Sequence, residues 1–250
     1  MGRRVFIGTS GWHYKHWLGV FYPEKLPENE MLAYYTRHFD TVELNNSFYH
    51  LPSETAFDNW RKTVSPDFLF AVKASRFITH MKKLKDPASS SQKFFHGAER
   101  LHEKLGPILF QLPPRWHLNL ERLSEFLTAL PERHQYAFEF RDESWLVPEV
   151  YKLLRQHNAA FCIHDLASVQ TPMEITADFT YIRFHGPGKA KYAGSYSTST
   201  LHKWATRIDE WLGQVSQVYV YFNNDVGGCA VKNARELQQL VGESRSATGQ

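Results

Sequence analysis

Cysteine is scarce in this chain of 250 residues, and Cys162 and Cys229 alone cannot build a disulfide framework or a structural zinc site. Long apolar runs are missing too. Nothing approaches the roughly 20 residues that a membrane-spanning helix needs, and no signal-like segment precedes Val5. A soluble protein of the reducing cytoplasm, with no membrane partner, is therefore expected. Charge of one sign is not in excess, since 29 Lys and Arg face 26 Asp and Glu for a formal net charge of +3. That balance does not favour a nucleic-acid surface. The one basic run, HMKKLK from His80 to Lys85, reads as a solvated loop. Also absent are a Pro/Gly/Ser-rich linker and a G-x-G-x-x-G turn after the first strand pattern, which counts against a second domain and against a dinucleotide-binding open sheet.

What the chain has in quantity is aromatic residues, 7 Trp, 12 Tyr and 18 Phe, suited to a bulky core or to an aromatic-lined pocket. They fall into a repeating order of strand and helix patterns. Strands are expected over Arg4–Ser10, Asp40–Asn45, Phe68–Lys73, Pro107–Gln111, Tyr136–Phe140, Ala160–Asp165, Phe179–His185 and Gln217–Asn223. Helices are expected from Asn29, a plausible cap, to Phe39, from Ser53 or Glu54 to Trp60, and over Gln92–Leu105, Leu118–Leu130, Val147–Gln156, Leu201–Leu212 and Ala230–Val241. Ser75–Ser91 reads as a long loop, and the crossover over Leu166–Asp178 as weakly helical at best. Eight strands alternating with helices predict an α/β fold, a single (β/α)8 TIM-like barrel over residues 1–242, with a flexible tail over 243–250.

Strands covered on both faces should be almost uniformly apolar, because a charge inside one costs several kcal/mol unless it is paired or solvated. Here most strands end on a polar or charged residue: Glu43, Lys73, Gln111, Glu139 with Arg141, His164, Arg183 with His185, and Asn223. In a barrel these ends converge on the catalytic face. The stretch Tyr136–Trp145, YAFEFRDESW, is the clearest case, with Tyr136, Phe138 and Phe140 on one face and Ala137, Glu139 and Arg141 on the other.

Glu43 and Glu139 suit acid/base work, and Lys73, Arg141 and Arg183 would hold carboxylates ionised or bind an anion. Strands two and five lie on opposite sides of such a barrel, which disfavours the close carboxylate pair of a retaining glycosidase. Trp12, Tyr14 and Trp17 are either a stacking wall or packing over the barrel. Cys162 reads as a small buried hydrophobe. The loop Gly186–Lys191, with Gly227 and Gly228 before the last helix, would be a phosphate cradle or a plain flexible lid.

The blocks GTSGWHYKHWLGVFYP, FDTVELNNSFYHLP, FLFAVKASRFITH, ILFQLPP, FEFRDESW, YIRFHG and VYVYFNNDVGGCAVKNA closely resemble the domain of unknown function 72 family, also called YecE-like, from Val5 to about Ala234. The resemblance implies a TIM-like barrel with no assigned activity. It points by position to Trp12, Tyr14, Glu43, Asn45, Tyr49, Lys73, Arg76, Gln111, Glu139, Arg141, Trp145, Arg183, His185, Asn223 and Asn224. The expectation is an enzyme using acid/base chemistry on a small polar or phosphorylated, anionic substrate. Glu139, Lys73, Glu43 and His164 are its catalytic candidates. Trp12, Tyr14, Asn45, Gln111, Arg141, Arg183, His185, Asn223 and Asn224 are its binding candidates, with no cofactor expected. The alternatives are a module binding a nucleotide, an RNA end or a metabolite, and a metal-dependent hydrolase or nuclease drawing ligands from Glu43, Glu139, His164, Asp165 and His185.

Overall fold

Period-two segments and segments of helical periodicity become strands and helices in the expected alternation. The structure, a computed structural model, describes residues 4–166, 169–188 and 192–247. Its strands are β1 (Arg4–Thr9), β2 (Thr41–Leu44), β3 (Leu69–Lys73), β4 (Leu105–Leu112), β5 (Tyr136–Phe140), β6 (Ala160–Leu166), β7 (Val169–Gln170), β8 (Phe179–Phe184) and β9 (Gln217–Phe222). The helices are α1 (Met31–Tyr35), α2 (Asn46–Tyr49), α3 (Glu54–Thr63), α4 (Pro87–Ala98), α5 (Leu120–Ala129), α6 (Pro148–Gln156), α7 (Thr198–Leu212) and α8 (Cys229–Ala247). The strand order is β1-β9-β8-β6-β5-β4-β3-β2, with β7 paired antiparallel to the end of β6. The fold is a (β/α)8 TIM-like barrel.

Several local expectations fail for identifiable reasons. Asn29 caps nothing. It lies inside a 3-10 turn, Glu28–Glu30, and α1 begins only after it. The segment read as a loop over Ser75–Ser91 contains a π-helical turn, Phe77–Met81, and the start of α4. Pro87 opens α4 at a position where its missing N–H costs nothing. The serine run that suggested a loop is absorbed because Ser91 Oγ donates to the Pro87 carbonyl at 2.5 Å. The crossover after β6 holds β7 and no helix among its described residues. At the other end α8 continues past Gly242 to Ala247, so residues 243–247 are helical rather than a loose tail, and 248–250 lie outside the described residues.

The chain divides into two compact units, Met1–Val42 with Ile163–Thr171 and Asp178–Gln250, and Glu43–Cys162 with Pro172–Ala177. In the first, β1 and β8 flank β9 in register, with Gly8 opposite Tyr221 and Arg183 opposite the same residue. Tyr35 ties this unit together. Its buried hydroxyl receives the Thr9 N–H at 3.0 Å and donates to the Thr41 carbonyl at 3.1 Å, joining β1 to the start of β2. Gly8 permits the approach, since a Cβ there would stand 2.3 Å from the Thr41 carbonyl oxygen. In the second unit β4 pairs with β5, and Phe110, Phe126 and Phe138 pack against one another. Buried Lys104 donates to the carbonyls of Val64 and Ser65 at 2.8 and 2.7 Å, which satisfies the end of α3.

Replacing Tyr35 by Phe removes a hydroxyl and with it one hydrogen bond from each of two buried backbone groups. The variant is expected to lose about 1–3 kcal/mol of unfolding free energy, read from the shift of the urea midpoint at unchanged slope.

Candidate functional site

Each unit carries its own group of polar side chains at the carboxyl ends of its strands. In the second unit the period of β5 turns Glu139 away from the face of Phe138 and Phe140, and Glu139 is fully buried. Register places Gln111 of β4 opposite it, and Cys162, which follows the Phe138–Phe161 pair, beside it on β6. Cys162 Sγ lies 3.9 Å from Glu139 Oε2. Buried Cys162 is thus a neighbour of the carboxylate as well as a piece of core. Arg141 Nε donates to Glu139 Oε1, forming a buried ion pair two residues apart. That pairing supplies the compensation a carboxylate needs when removed from water.

The loop after β5 holds Arg141 in place. Asp142 accepts from the Ser144 backbone N–H at 3.2 Å and from its hydroxyl at 2.6 Å. The hydroxyl hydrogen bond holds the Asp142 carboxyl below its ordinary range. Trp145, fully buried, stacks on Phe140 at 5.1 Å and donates its indole N–H to the Trp116 carbonyl at 2.6 Å. YAFEFRDESW therefore runs from strand into a pinned turn, as its composition suggested.

Lys73 ends β3 with its ammonium 4.0 Å from the centre of the Phe48 ring on α2. Ser47, next to Phe48, donates its hydroxyl to the Lys73 carbonyl at 2.7 Å. His80 meets the same Phe48 ring nearly edge-on at 5.0 Å and pairs through Nδ1 with the Thr79 hydroxyl at 2.9 Å. Burial first, then the positive fields of Lys73, Arg76 and Arg141, push the His80 imidazole down to about 4, so it is neutral at physiological pH. Lys73, Arg76 and Arg141 thus all act on His80, and Arg141 also pairs with Glu139. Glu43 is fully buried in β2, and Asn45, at the start of α2, has an Oδ1 with no hydrogen-bond partner among the described residues.

The HMKKLK run is loop over residues 82–85, with Lys83 and Lys85 exposed, as its charges suggested, but not throughout. Its start belongs to the π-helical turn, closed by Lys82 N–H to the Phe77 carbonyl at 2.8 Å, and Leu84 is buried. Sequence reasoning therefore missed His80 and Phe48. Neither lies at a strand end, and no periodicity marks them.

In the first unit, Arg183 and His185 at the end of β8 are buried, as is His164 in β6. The His164 and His185 rings stand 6.0 Å apart, nearly perpendicular, and Asn223 Nδ2 lies 3.2 Å from His185 Nδ1. Asp165 takes a different partner, the Tyr196 hydroxyl, and burial raises its carboxyl above the usual range. The structure thereby sends His164 to the histidine pair and Asp165 to Tyr196.

Three binding candidates make contacts within the fold. Asn224 is fully buried and donates to the Gly194 carbonyl at 2.8 Å and to Asn233 Oδ1 at 3.0 Å. Trp12 is buried and its carbonyl accepts from the Tyr22 hydroxyl at 2.6 Å, while Tyr14 donates to the Ser10 carbonyl at 2.6 Å and its ring packs 4.7 Å from Trp17. Trp17 in turn packs on Phe21 and Tyr22, which makes Tyr14 part of an aromatic group. In the glycine loop, Gly186 at φ +95° lets the backbone approach Ala193, whereas Lys189 and Lys191 lie outside the described residues.

Among the described residues no three His, Cys, Asp or Glu are arranged to hold a metal ion, and no helix is long and apolar enough to cross a membrane.

Similarity to known proteins agrees with this fold. The model of a family described as "Protein of unknown function DUF72" matches residues 6–250. The UPF0759 protein YunF of Bacillus subtilis is 29% identical over a 272-residue alignment that covers 95% of this chain and 94% of that protein. A crystal structure of a DUF72 family protein from Thermotoga maritima superposes with a TM-score of 0.87 at 32% identity, covering 95% of this chain and 99% of the other. One from Enterococcus faecalis superposes at 0.80 with 20% identity, covering 96% of each chain.

The depressed His80 has a consequence for stability. Below its ordinary value of 6.5 the unfolded chain protonates His80, whereas the folded chain resists until about 4. The unfolded state therefore binds more protons in that window, and stability falls as pH drops through it. Urea unfolding from pH 7 to 4 is expected to show this loss in the wild type and a smaller one in His80→Phe. An NMR titration of the His80 ring with its midpoint at 6 or above would contradict it.

Proposed function

The chain belongs to the DUF72 family, a TIM-barrel family of unknown function, and we propose that it is an enzyme using acid/base chemistry on a small anionic substrate. The observation that carries this reading is fully buried Glu139 paired with Arg141, together with the fields of Lys73, Arg76 and Arg141 on the neutral His80 of the same unit. Glu43 is a second buried carboxylate of the same unit, and the field of three cations on one neutral imidazole favours a negatively charged ligand.

In this reading Arg141 fixes Glu139 and keeps it ionised, and Glu139 removes a proton from the substrate. Lys73 and Arg76 bind the anionic group. His80, neutral, can accept a proton or donate a hydrogen bond without adding to the positive charge. Asn45 Oδ1 offers an acceptor to a substrate hydroxyl. Glu43 is the second carboxylate. These roles use the second unit alone.

Proton abstraction leaves an isotopic trace before any product is identified. Wild-type protein in deuterium oxide, given a pool of small phosphorylated and carboxylated carbonyl compounds, is expected to introduce deuterium beside the carbonyl of at least one of them. Glu139→Gln, with an unchanged circular dichroism spectrum, is expected to lose about 10²–10⁴-fold of that rate. Exchange by the variant at the wild-type rate would remove Glu139 from its role. A pool that binds without exchanging would leave a binding module in place of an enzyme.

A further inference from the structure

The segment that follows the π-helical turn is strained. Lys83, Leu84 and Asp86 have φ of +47°, +63° and +49°, in the left-handed region that costs free energy for any residue with a Cβ. Lys85 N–H donates to the Lys82 carbonyl at 3.0 Å, so residues 82–85 close a tight turn whose two central residues are both left-handed. Asn and Gly ordinarily fill such central positions. Here Lys and Leu fill them, and strain of this kind persists only where the surrounding structure holds it, commonly beside active sites.

The contacts that hold it are local to the second unit. Leu84 is fully buried, which makes its side chain an anchor rather than an exposed turn tip. Its N–H donates to the Ile78 carbonyl at 3.0 Å and folds the tight turn back onto the π-helical one. Lys82 reaches both ways, with its ammonium 3.2 Å from Asp86 Oδ2 and 5.9 Å from the centre of the Phe77 ring. Asp86 is tied to α4, its carbonyl accepting from the Ser90 N–H at 2.8 Å. At the opposite end, the Ser75 carbonyl accepts from the Ile78 N–H at 3.0 Å and the Ser75 hydroxyl from the Phe77 N–H at 3.2 Å. The five residues of Phe77–Met81 are thereby fixed from both sides.

Their register decides where His80 points. The bond from Lys82 N–H to the Phe77 carbonyl spans one residue more than an α-helical bond, and such π-helical turns are uncommon and gather at functional sites. A return to α-helical register would rotate His80 about the axis of the turn and take its ring off Phe48. We infer that Leu84 is a positioning residue for His80: the left-handed turn it anchors keeps Phe77–Met81 in π-helical register and so holds the imidazole edge-on to Phe48 and against the Thr79 hydroxyl. The inference rests on the reading of the second unit as an acid/base site and adds the residue that sets the place of its imidazole.

Two substitutions act on the tight turn in opposite directions, and an NMR titration of the His80 ring reads the result. Lys83→Gly suits a positive φ and is expected to raise the urea midpoint while the His80 titration stays at about 4. Leu84→Val keeps an apolar side chain, but a β-branched residue resists positive φ, so the turn is expected to open and the His80 titration to rise from about 4 toward 6.5. Lower stability in Leu84→Val with the His80 titration unmoved would assign Leu84 to packing alone and overturn the inference. The wild type offers a check that needs no variant, since the Lys82 and Leu84 amides are expected to be protected from hydrogen exchange. Exchange of both at the rate of an open chain would equally overturn it. With a substrate identified by deuterium introduction, Leu84→Val is expected to lower that rate by about tenfold or more. A raised His80 titration at an unchanged rate would uphold the positioning and remove His80 from the reaction.

Discussion

A carboxylate enclosed among parallel strands is the constraint on which the second unit depends. Glu139 is fully buried, and removing an ion from water costs several kcal/mol even after the protein relaxes. Its compensation comes from Arg141, two residues on, which a strict strand would place on the same face. Arg141 reaches back because the chain stops being a strand after Phe140 and enters the turn fixed by Asp142, Ser144 and Trp145. The ion pair, the turn and the stacked Phe140–Trp145 rings are one device, and Cys162 completes its lining.

Buried charges and amides in this protein do two kinds of work, and their partners tell them apart. Lys104 meets carbonyls that α3 leaves open, and Asn224 and Asn233 bind backbone around Gly194 and Tyr196. Each such group ends on the protein's own backbone and finishes a structural task. Lys73 instead lies over an aromatic face, and its field, with those of Arg76 and Arg141, falls on a neutral histidine. The convergence of three positive fields on one uncharged ring is the physical basis for reading the second unit as a place for an anion.

Much of the barrel was legible in order of appearance. Val42 and Leu44, Phe70 and Val72, and Phe138 and Phe140 alternate with residues of the opposite face, and each segment forms the strand its period predicts. Local signals failed where short polar residues carry two meanings. Ser89–Ser91 reads as loop and forms helix, because Ser91 bonds back to Pro87. Asn29 reads as a cap and lies within a turn. Aromatic residues were ambiguous too: Trp12, a candidate by type, is buried, while Tyr49, to which only the resemblance points, is open.

By itself the sequence determined the alternation of strands and helices, the parallel (β/α)8 barrel that such alternation implies, and the polar positions at the strand ends. These follow from periodicity and turn chemistry, which are properties of neighbours in the chain. Tertiary structure decided which of those polar groups meet. It gave Glu139 to Arg141 and Cys162, Asp165 to Tyr196 and His164 to His185, and brought Phe48 and His80, which no pattern marks, onto Lys73. A side chain's partner across many residues depends on register, on where a strand yields to a turn and on one π-helical turn, and none of these is written in the spacing of residue types.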